Sequence, residues 1–223
     1  MDARELIARR VAQEIRPGTL VNLGVGLPSL VAGFVPVGLG VFFQAENGVI
    51  GLGARPPEGM EEAHLTDAGG GFVSAVPGAA AIDSAMSFGL IRGGHLDMTV
   101  LGGLQVDEAG HLANWTVPGQ LVPGMGGAMD LVTGAKRVVV AMQHAAKGVS
   151  KIVPHCTLPL TALRRVDLVV TDLAVIRPTP AGLVLAERAP GITIEAILAA
   201  TAARLVVPAD VPEMPLAQTE LAS

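Results

Sequence analysis

One carboxylate, Glu46 in the run Gln44-Ala45-Glu46-Asn47-Gly48-Val49-Ile50, stands in an apolar frame. Phe42 and Phe43 precede it, Val49 and Ile50 follow it, and no Lys or Arg occurs until Arg55. A carboxylate so placed is poorly hydrated, which makes it a better nucleophile and puts its pKa under the control of its surroundings. It must stay ionised to attack a carbonyl, and the N–H groups of an Asn47-Gly48 turn, or the Asn47 amide, are donors at hand. The same run also reads as a plain hairpin, because Asn-Gly between apolar stretches is a strong short-range turn signal.

Two glycine loops could serve such a carboxylate. In Val21-Asn22-Leu23-Gly24-Val25-Gly26-Leu27-Pro28-Ser29 a strand runs into a Gly-x-Gly loop and then a helix. Gly24 and Gly26 let backbone approach a ligand, and the N–H groups at a helix start suit an anion such as phosphate. With Glu46 twenty positions after Gly26, the segment comes close to a dinucleotide fingerprint, in which an acid about 20 residues on receives the ribose hydroxyls. Against that reading, Ser29 replaces the third glycine, Pro28 sits inside the turn, and Asn47-Gly48 suits positive φ. The second loop, Val122-Pro123-Gly124-Met125-Gly126-Gly127-Ala128-Met129-Asp130, leads into a short helix. Its N–H groups around Gly126 and Gly127 form either a nest for an oxyanion or an ordinary turn.

The remaining reactive side chains carry less. His64, His95, His111, His144 and His155 lack metal-ligand spacing, and Cys156 is read as a structural thiol. Met86 and Met129 are read as filling core or interface gaps, and Glu58, Glu61 and Glu62 as a solvated acidic stretch.

The elements that must position these residues alternate in type. Ile7, Val11 and Ile15 mark one face of a helix over 3–16, ended by Pro17-Gly18. Thr19 to Leu23, Val41 to Gln44, Met98 to Leu101, Arg137 to Met142 and Leu168 to Thr171 read as strands. Ala79 to Ile91 and Ile194 to Ala203 read as helices, and Gln105 to Thr116 and Val175 to Glu187 as hairpins. The fold expected is α/β, an open, mainly parallel sheet flanked by helices, with β-hairpin additions. Residues 1–207 are expected to form a single domain, and the Pro-punctuated tail 208–223 to be poorly ordered.

Composition excludes several partners. The 223 residues carry a net charge of −5 without an extended basic cluster, which argues against nucleic acid. Half are apolar, yet Gly, Pro or a charge interrupts every apolar run well before the roughly 18 residues of a membrane span. The acidic, amphipathic N-terminus is unlike a secretory signal, and a cytoplasmic location fits best.

Taken in order, these segments resemble the beta subunits of family I coenzyme A transferases, the 3-oxoacid group that includes acetate:acetoacetate and succinyl:3-oxoacid enzymes. The resemblance spans nearly the whole chain. Beyond the first loop and Glu46-Asn47-Gly48, it rests on Ala85-Met86-Ser87-Phe88, Ile91-Arg92-Gly93-Gly94-His95 and Leu101-Gly102-Gly103-Leu104-Gln105-Val106-Asp107-Glu108. It continues in Leu112-Ala113-Asn114-Trp115, Met125-Gly126-Gly127-Ala128-Met129-Asp130-Leu131-Val132 and Cys156-Thr157-Leu158-Pro159-Leu160-Thr161.

The resemblance implies that Glu46 takes CoA covalently, with Asn22, Gly24, Gly26, Gly126 and Gly127 as contacts for CoA or the oxyanion. It implies no permanently bound cofactor, acyl-CoA and short-chain carboxylic acids as substrates, and a homologous alpha subunit in a heterotetramer. Ala45 stands where that family usually has serine, and Gln143 where glutamate is common. Two other classes stay open beside it: a nicotinamide-binding oxidoreductase, and a catalytically silent sugar-phosphate-binding or regulatory module.

Overall fold

The computed structural model describes residues 1–119 and 124–217. Its strands are β1 (Leu20–Leu23), β2 (Phe42–Gln44), β3 (Val49–Leu52), β4 (Ala75–Ala81), β5 (Met98–Leu101), β6 (Gln105–Asp107), β7 (Leu112–Ala113) and β8 (Arg137–Ala141). There follow β9 (Ala145–Ala146), β10 (Val149–Ser150), β11 (Ile152–Val153), β12 (Leu168–Val170), β13 (Ala174–Thr179), β14 (Gly182–Arg188) and β15 (Leu205–Val206). Among the described residues, four α-helices, α1 (Ala3–Ala12), α2 (Ser84–Arg92), α3 (Ala128–Gly134) and α4 (Ile194–Ala200), and two 3-10 helices at Pro28–Phe34 and Val37–Leu39 complete the framework.

One sheet of ten strands has the order β15-β14-β13-β12-β8-β5-β1-β2-β3-β4. Its centre, β12-β8-β5-β1-β2, is parallel throughout, and the antiparallel strands β13, β14, β3 and β4 extend its two sides. The strands β5, β8 and β12 are short, largely aliphatic runs buried on both faces, as parallel strands covered by helices require. Alternation along β8 serves two cores. Val139 and Ala141 pack with Ile7 and Val11 of α1, whereas Val138 and Val140 pack with Ile91 of α2, Leu131 of α3 and Ile197 of α4.

Three of these α-helices, α1, α2 and α4, start at a side-chain cap, whereas α3 starts at Gly127 without one. The Asp2 carboxylate accepts the Arg4 N–H at 2.6 Å, the Asp83 carboxylate the Met86 N–H at 2.7 Å, and the Thr193 hydroxyl the Ala196 N–H at 3.2 Å. Arg10 ties α1 to β14 by pairing Glu187 at 2.5 Å and also pairs Glu14 at 2.6 Å, while Arg137 closes on Glu14 from β8.

The hairpins expected over 105–116 and 175–187 form, as β6/β7 and β13/β14. Two expectations need correction. Ala79–Ala81 is not helical: it belongs to β4, which pairs with β3 in the register Val49↔Ala81, and the helix begins only at Ser84. Pairing to an existing strand outweighs the helical preference of a short Ala run.

The second correction concerns the C-terminal segment. Its described part is packed, with Val211, Met214 and Ala217 buried. Its backbone exchanges hydrogen bonds with Arg188 (Arg188 N–H to Pro212 O, 3.0 Å; Met214 N–H to Arg188 O, 2.9 Å) and reaches α1 through Ala217 N–H to Arg9 O at 3.2 Å. Residues 218–223 of that segment lie outside the described residues.

Candidate active site

Glu46 occupies the turn that joins β2 to β3. Gly48 N–H donates to Ala45 O at 3.0 Å and Ala45 N–H to Val49 O at 2.8 Å, so the Asn-Gly turn forms as a hairpin turn. Gly48 has φ 120°, and a Cβ there would lie 2.0 Å from the Ile82 carbonyl oxygen. Only glycine lets the turn lie against that carbonyl, and Ile82 N–H returns a bond to Gly48 O at 2.9 Å. The hairpin reading and the reactive-carboxylate reading are thus compatible: the turn is what holds the carboxylate, half-buried, at the end of β2.

The donor to this carboxylate comes from the neighbouring strand. Asn22, fully buried in β1, pairs in register with Gln44 of β2. Its Nδ2 donates to Glu46 Oε2 at 3.2 Å, to Gln44 O at 3.1 Å and to Gln44 Oε1 at 3.2 Å. Its Oδ1 accepts the Thr99 hydroxyl of β5 at 3.1 Å, which fits an amide turned with its NH₂ end to the carboxylate. Gln44 is anchored in turn through Nε2 to the Ser87 hydroxyl at 2.8 Å. Asn47, expected from sequence as a donor to Glu46, instead gives its amide to Thr66 O at 2.8 Å and ties the turn to the following loop.

The glycines separate into different settings. Gly24 N–H donates to Val100 O at 2.8 Å, and a Cβ on Gly24 would press that same oxygen at 3.2 Å. Gly26 has φ 90° and makes the turn into the 3-10 helix, where the Ser29 hydroxyl donates to its carbonyl at 2.8 Å. Gly127 is buried, and a Cβ there would sit 3.1 Å from Glu46 Cγ and 3.4 Å from Phe88 Cζ. The loop therefore meets Glu46 at Gly127, while Gly126 is exposed with φ 54° and open space where a Cβ would be. Val122 and Pro123 of this loop lie outside the described residues.

Glu46, Ala45, Gly24, Val25 and Phe43 share a cavity of about 590 Å³ with Arg55. Sequence reasoning missed another part of the lining, the turn Asp67 to Gly71. There Asp67 Oδ1 accepts the N–H groups of Gly69 and Gly71, each at 2.8 Å. The triple glycine was the available signal, though nothing in the chain order placed it in the same cavity as Glu46.

Residues 4–200 match the model of the coenzyme A transferase family. The chain belongs to the coenzyme A transferase family. It is 54% identical over 211 residues to the beta subunit of the acetate CoA-transferase of Escherichia coli K12, covering 94% of this chain and 96% of that one. It is 49% identical over 207 residues to one subunit of the probable succinyl-CoA:3-ketoacid coenzyme A transferase of Bacillus subtilis, covering 92% and 96%. Among solved structures, acyl-CoA transferase YdiF of Escherichia coli O157:H7 superposes with a TM-score of 0.78 at 24% identity. That match covers 96% of this chain and 43% of the longer YdiF chain, and supports the fold alone. The oxidoreductase and silent-module alternatives find no support in these similarities.

Other residues of this CoA transferase chain fall outside the site. His144 is fully buried, its ring nitrogens at 3.0 Å from the Thr171 hydroxyl and 2.9 Å from the Thr201 hydroxyl, and burial lowers its pKa. Burial first, then the nearby Asp107 charge, pushes the Cys156 thiol up to about 12, which keeps it protonated and unreactive. Met86 and Met129 are 56% and 48% exposed and so do not fill the core. Among the described residues no three His, Cys, Asp or Glu groups come together to hold a metal ion, and no helix is long and apolar enough to cross a membrane.

Proposed function

We propose that this chain is the glutamate-bearing beta subunit of a cytoplasmic 3-oxoacid CoA-transferase. It moves CoA between a short-chain acyl-CoA, acetyl-CoA or succinyl-CoA, and a 3-oxoacid such as acetoacetate, and it acts with a homologous alpha subunit. The observation that carries this reading is the Glu46 carboxylate, held by the buried Asn22 amide at 3.2 Å and facing a cavity large enough for an acyl thioester.

In this mechanism a Glu46 carboxylate oxygen attacks the acyl-CoA carbonyl. The tetrahedral oxyanion collapses to an acyl-glutamyl anhydride, and CoA leaves as thiolate. The thiolate then attacks the glutamyl carbonyl, giving a glutamyl-CoA thioester and freeing the first carboxylate. The acceptor carboxylate attacks that thioester, and thiolate return to the acceptor's acyl carbon delivers the new acyl-CoA and regenerates Glu46. No proton or electron is gained or lost over the cycle.

Each intermediate is hydrolysable, so water exclusion by Phe43 and Ala45 serves the chemistry. The Asn22 N–H is placed to hold the ionised carboxylate and then the oxyanion on the glutamyl carbonyl. Gly24, Gly26, Gly126 and Gly127 are assigned as backbone contacts to CoA or the substrate oxyanion.

The test is CoA transfer by the chain paired with its alpha subunit. Glu46→Gln is expected to abolish exchange between acetyl-CoA and acetoacetate, and Glu46→Asp, one methylene shorter, to reduce it at least a hundredfold, about 2.7 kcal/mol. Transfer undiminished in Glu46→Gln would refute the assignment.

A further inference from the structure

A second cavity, of about 280 Å³, adjoins the first and shares Val25 with it. It is lined by Arg4, Lys151, Gly102, Gly103 and Gln143, and none of its described lining residues is acidic, although the chain as a whole carries a net charge of −5. No carboxylate among the described residues pairs with the Arg4 guanidinium. Lys151 donates through Nζ to Gly103 O at 3.1 Å. Asp172 bears on Lys151 through space but does not line the cavity.

The location matters as much as the charge. Gly102-Gly103 follows β5 and Met142-Gln143 follows β8, so the cavity opens at the carboxyl ends of the parallel strands, the same end at which Glu46 follows β2. Ligands of open parallel sheets bind along that edge. One cation there is an arginine, whose planar fork matches a phosphate, and the other a lysine, which acts as a point charge.

We propose that the cavity between Arg4 and Lys151 is a phosphate subsite that holds phosphate groups of the CoA moiety while its thioester lies at Glu46. This rests on the transferase reading of Glu46. The neighbouring carboxylate then acts on a substrate anchored through a remote group, whose binding holds the thioester in attack geometry.

The test uses the chain paired with its alpha subunit and compares acyl-CoA with acyl-pantetheine, which lacks the phosphates. Arg4→Gln and Lys151→Gln are each expected to reduce the preference for acyl-CoA, as a ratio of kcat/KM values, about tenfold, the loss of one charge-assisted contact. Inorganic pyrophosphate is expected to compete with acyl-CoA in the wild type and to lose about tenfold in potency in the variants. Arg4 is exposed, so Arg4→Gln decides the matter even where Lys151→Gln fails to fold.

An unchanged preference, or equal losses on acyl-CoA and acyl-pantetheine, overturns the proposal. So does pyrophosphate binding that depends on Arg4 and Lys151 without affecting acyl-CoA, which would mark a site for free anions. Failure here with transfer through Glu46 intact removes the subsite alone, whereas a wild-type pair that never loads CoA on Glu46 removes the transferase reading as well.

Discussion

The Asn22 amide of β1 reaches the Glu46 carboxylate of the β2–β3 turn at 3.2 Å, across a pair of parallel strands in which Asn22 stands opposite Gln44. A hydrogen bond to a charged group is worth about 1.5–3 kcal/mol, so Asn22→Ala is expected to lower kcat roughly 10- to 150-fold. Ala45, 4% exposed, lines the same cavity but is not the residue that holds the carboxylate. Ala45→Ser, which adds a hydroxyl, is therefore expected to change kcat by less than about threefold, under 1 kcal/mol. Steady-state rates of the two variants side by side check this ranking.

Gly127 leaves no room beside the Glu46 side chain. A methyl group there meets Glu46 Cγ at 3.1 Å and Phe88 Cζ at 3.4 Å, while the φ of −82° is ordinary for alanine. Gly127→Ala is expected to keep the fold and to displace the carboxylate. It should cost about 1–3 kcal/mol of activation free energy, read as a fall in kcat of roughly 5- to 150-fold with little change in Tm.

Gly48 is held by backbone on both counts, φ 120° and a carbonyl 2.0 Å from any Cβ. Gly48→Ala has to move either the turn or Ile82. It is expected to destabilise the chain by about 2–4 kcal/mol, measured by urea denaturation, and to abolish transfer in whatever fraction remains folded.

Burial holds the His144 pKa below its ordinary 6.5, and the opposing charge of Asp172 is the lesser influence. Below that pH the unfolded chain binds a proton that the folded chain resists. The stability from keeping His144 neutral is thus complete above about pH 6.5 and is lost as pH falls. Urea midpoints are expected to drop between pH 7 and pH 5.5, and His144→Gln, less stable at pH 7, to flatten that drop. The paired carboxylate Glu14 acts lower. Burial would raise its pKa, but hydrogen bonding and charge from Arg10, with Arg137, hold it below the ordinary 4.5, so its contribution is lost only in stronger acid.

The parallel centre of the sheet was legible because β5, β8 and β12 are aliphatic runs bounded by Gly, Pro or polar residues. The strand β4 was not: Ala75–Ala81 contains Pro and Gly among alanines, and only pairing with β3 makes it a strand. Glu46 could be picked out by its apolar frame, but the role of Asn22 depends on a strand register between positions 22 residues apart, which chain order does not encode. Arg4 and Lys151 converge from distant parts of the chain for the same reason.

Mass spectrometry of the paired enzyme, incubated with acyl-CoA and no acceptor and then digested, tests the role of Glu46 most directly. A CoA adduct is expected on the peptide containing Glu46, lost on adding acetoacetate and absent from Glu46→Gln. An adduct on any other residue, or transfer with none formed, would contradict that role.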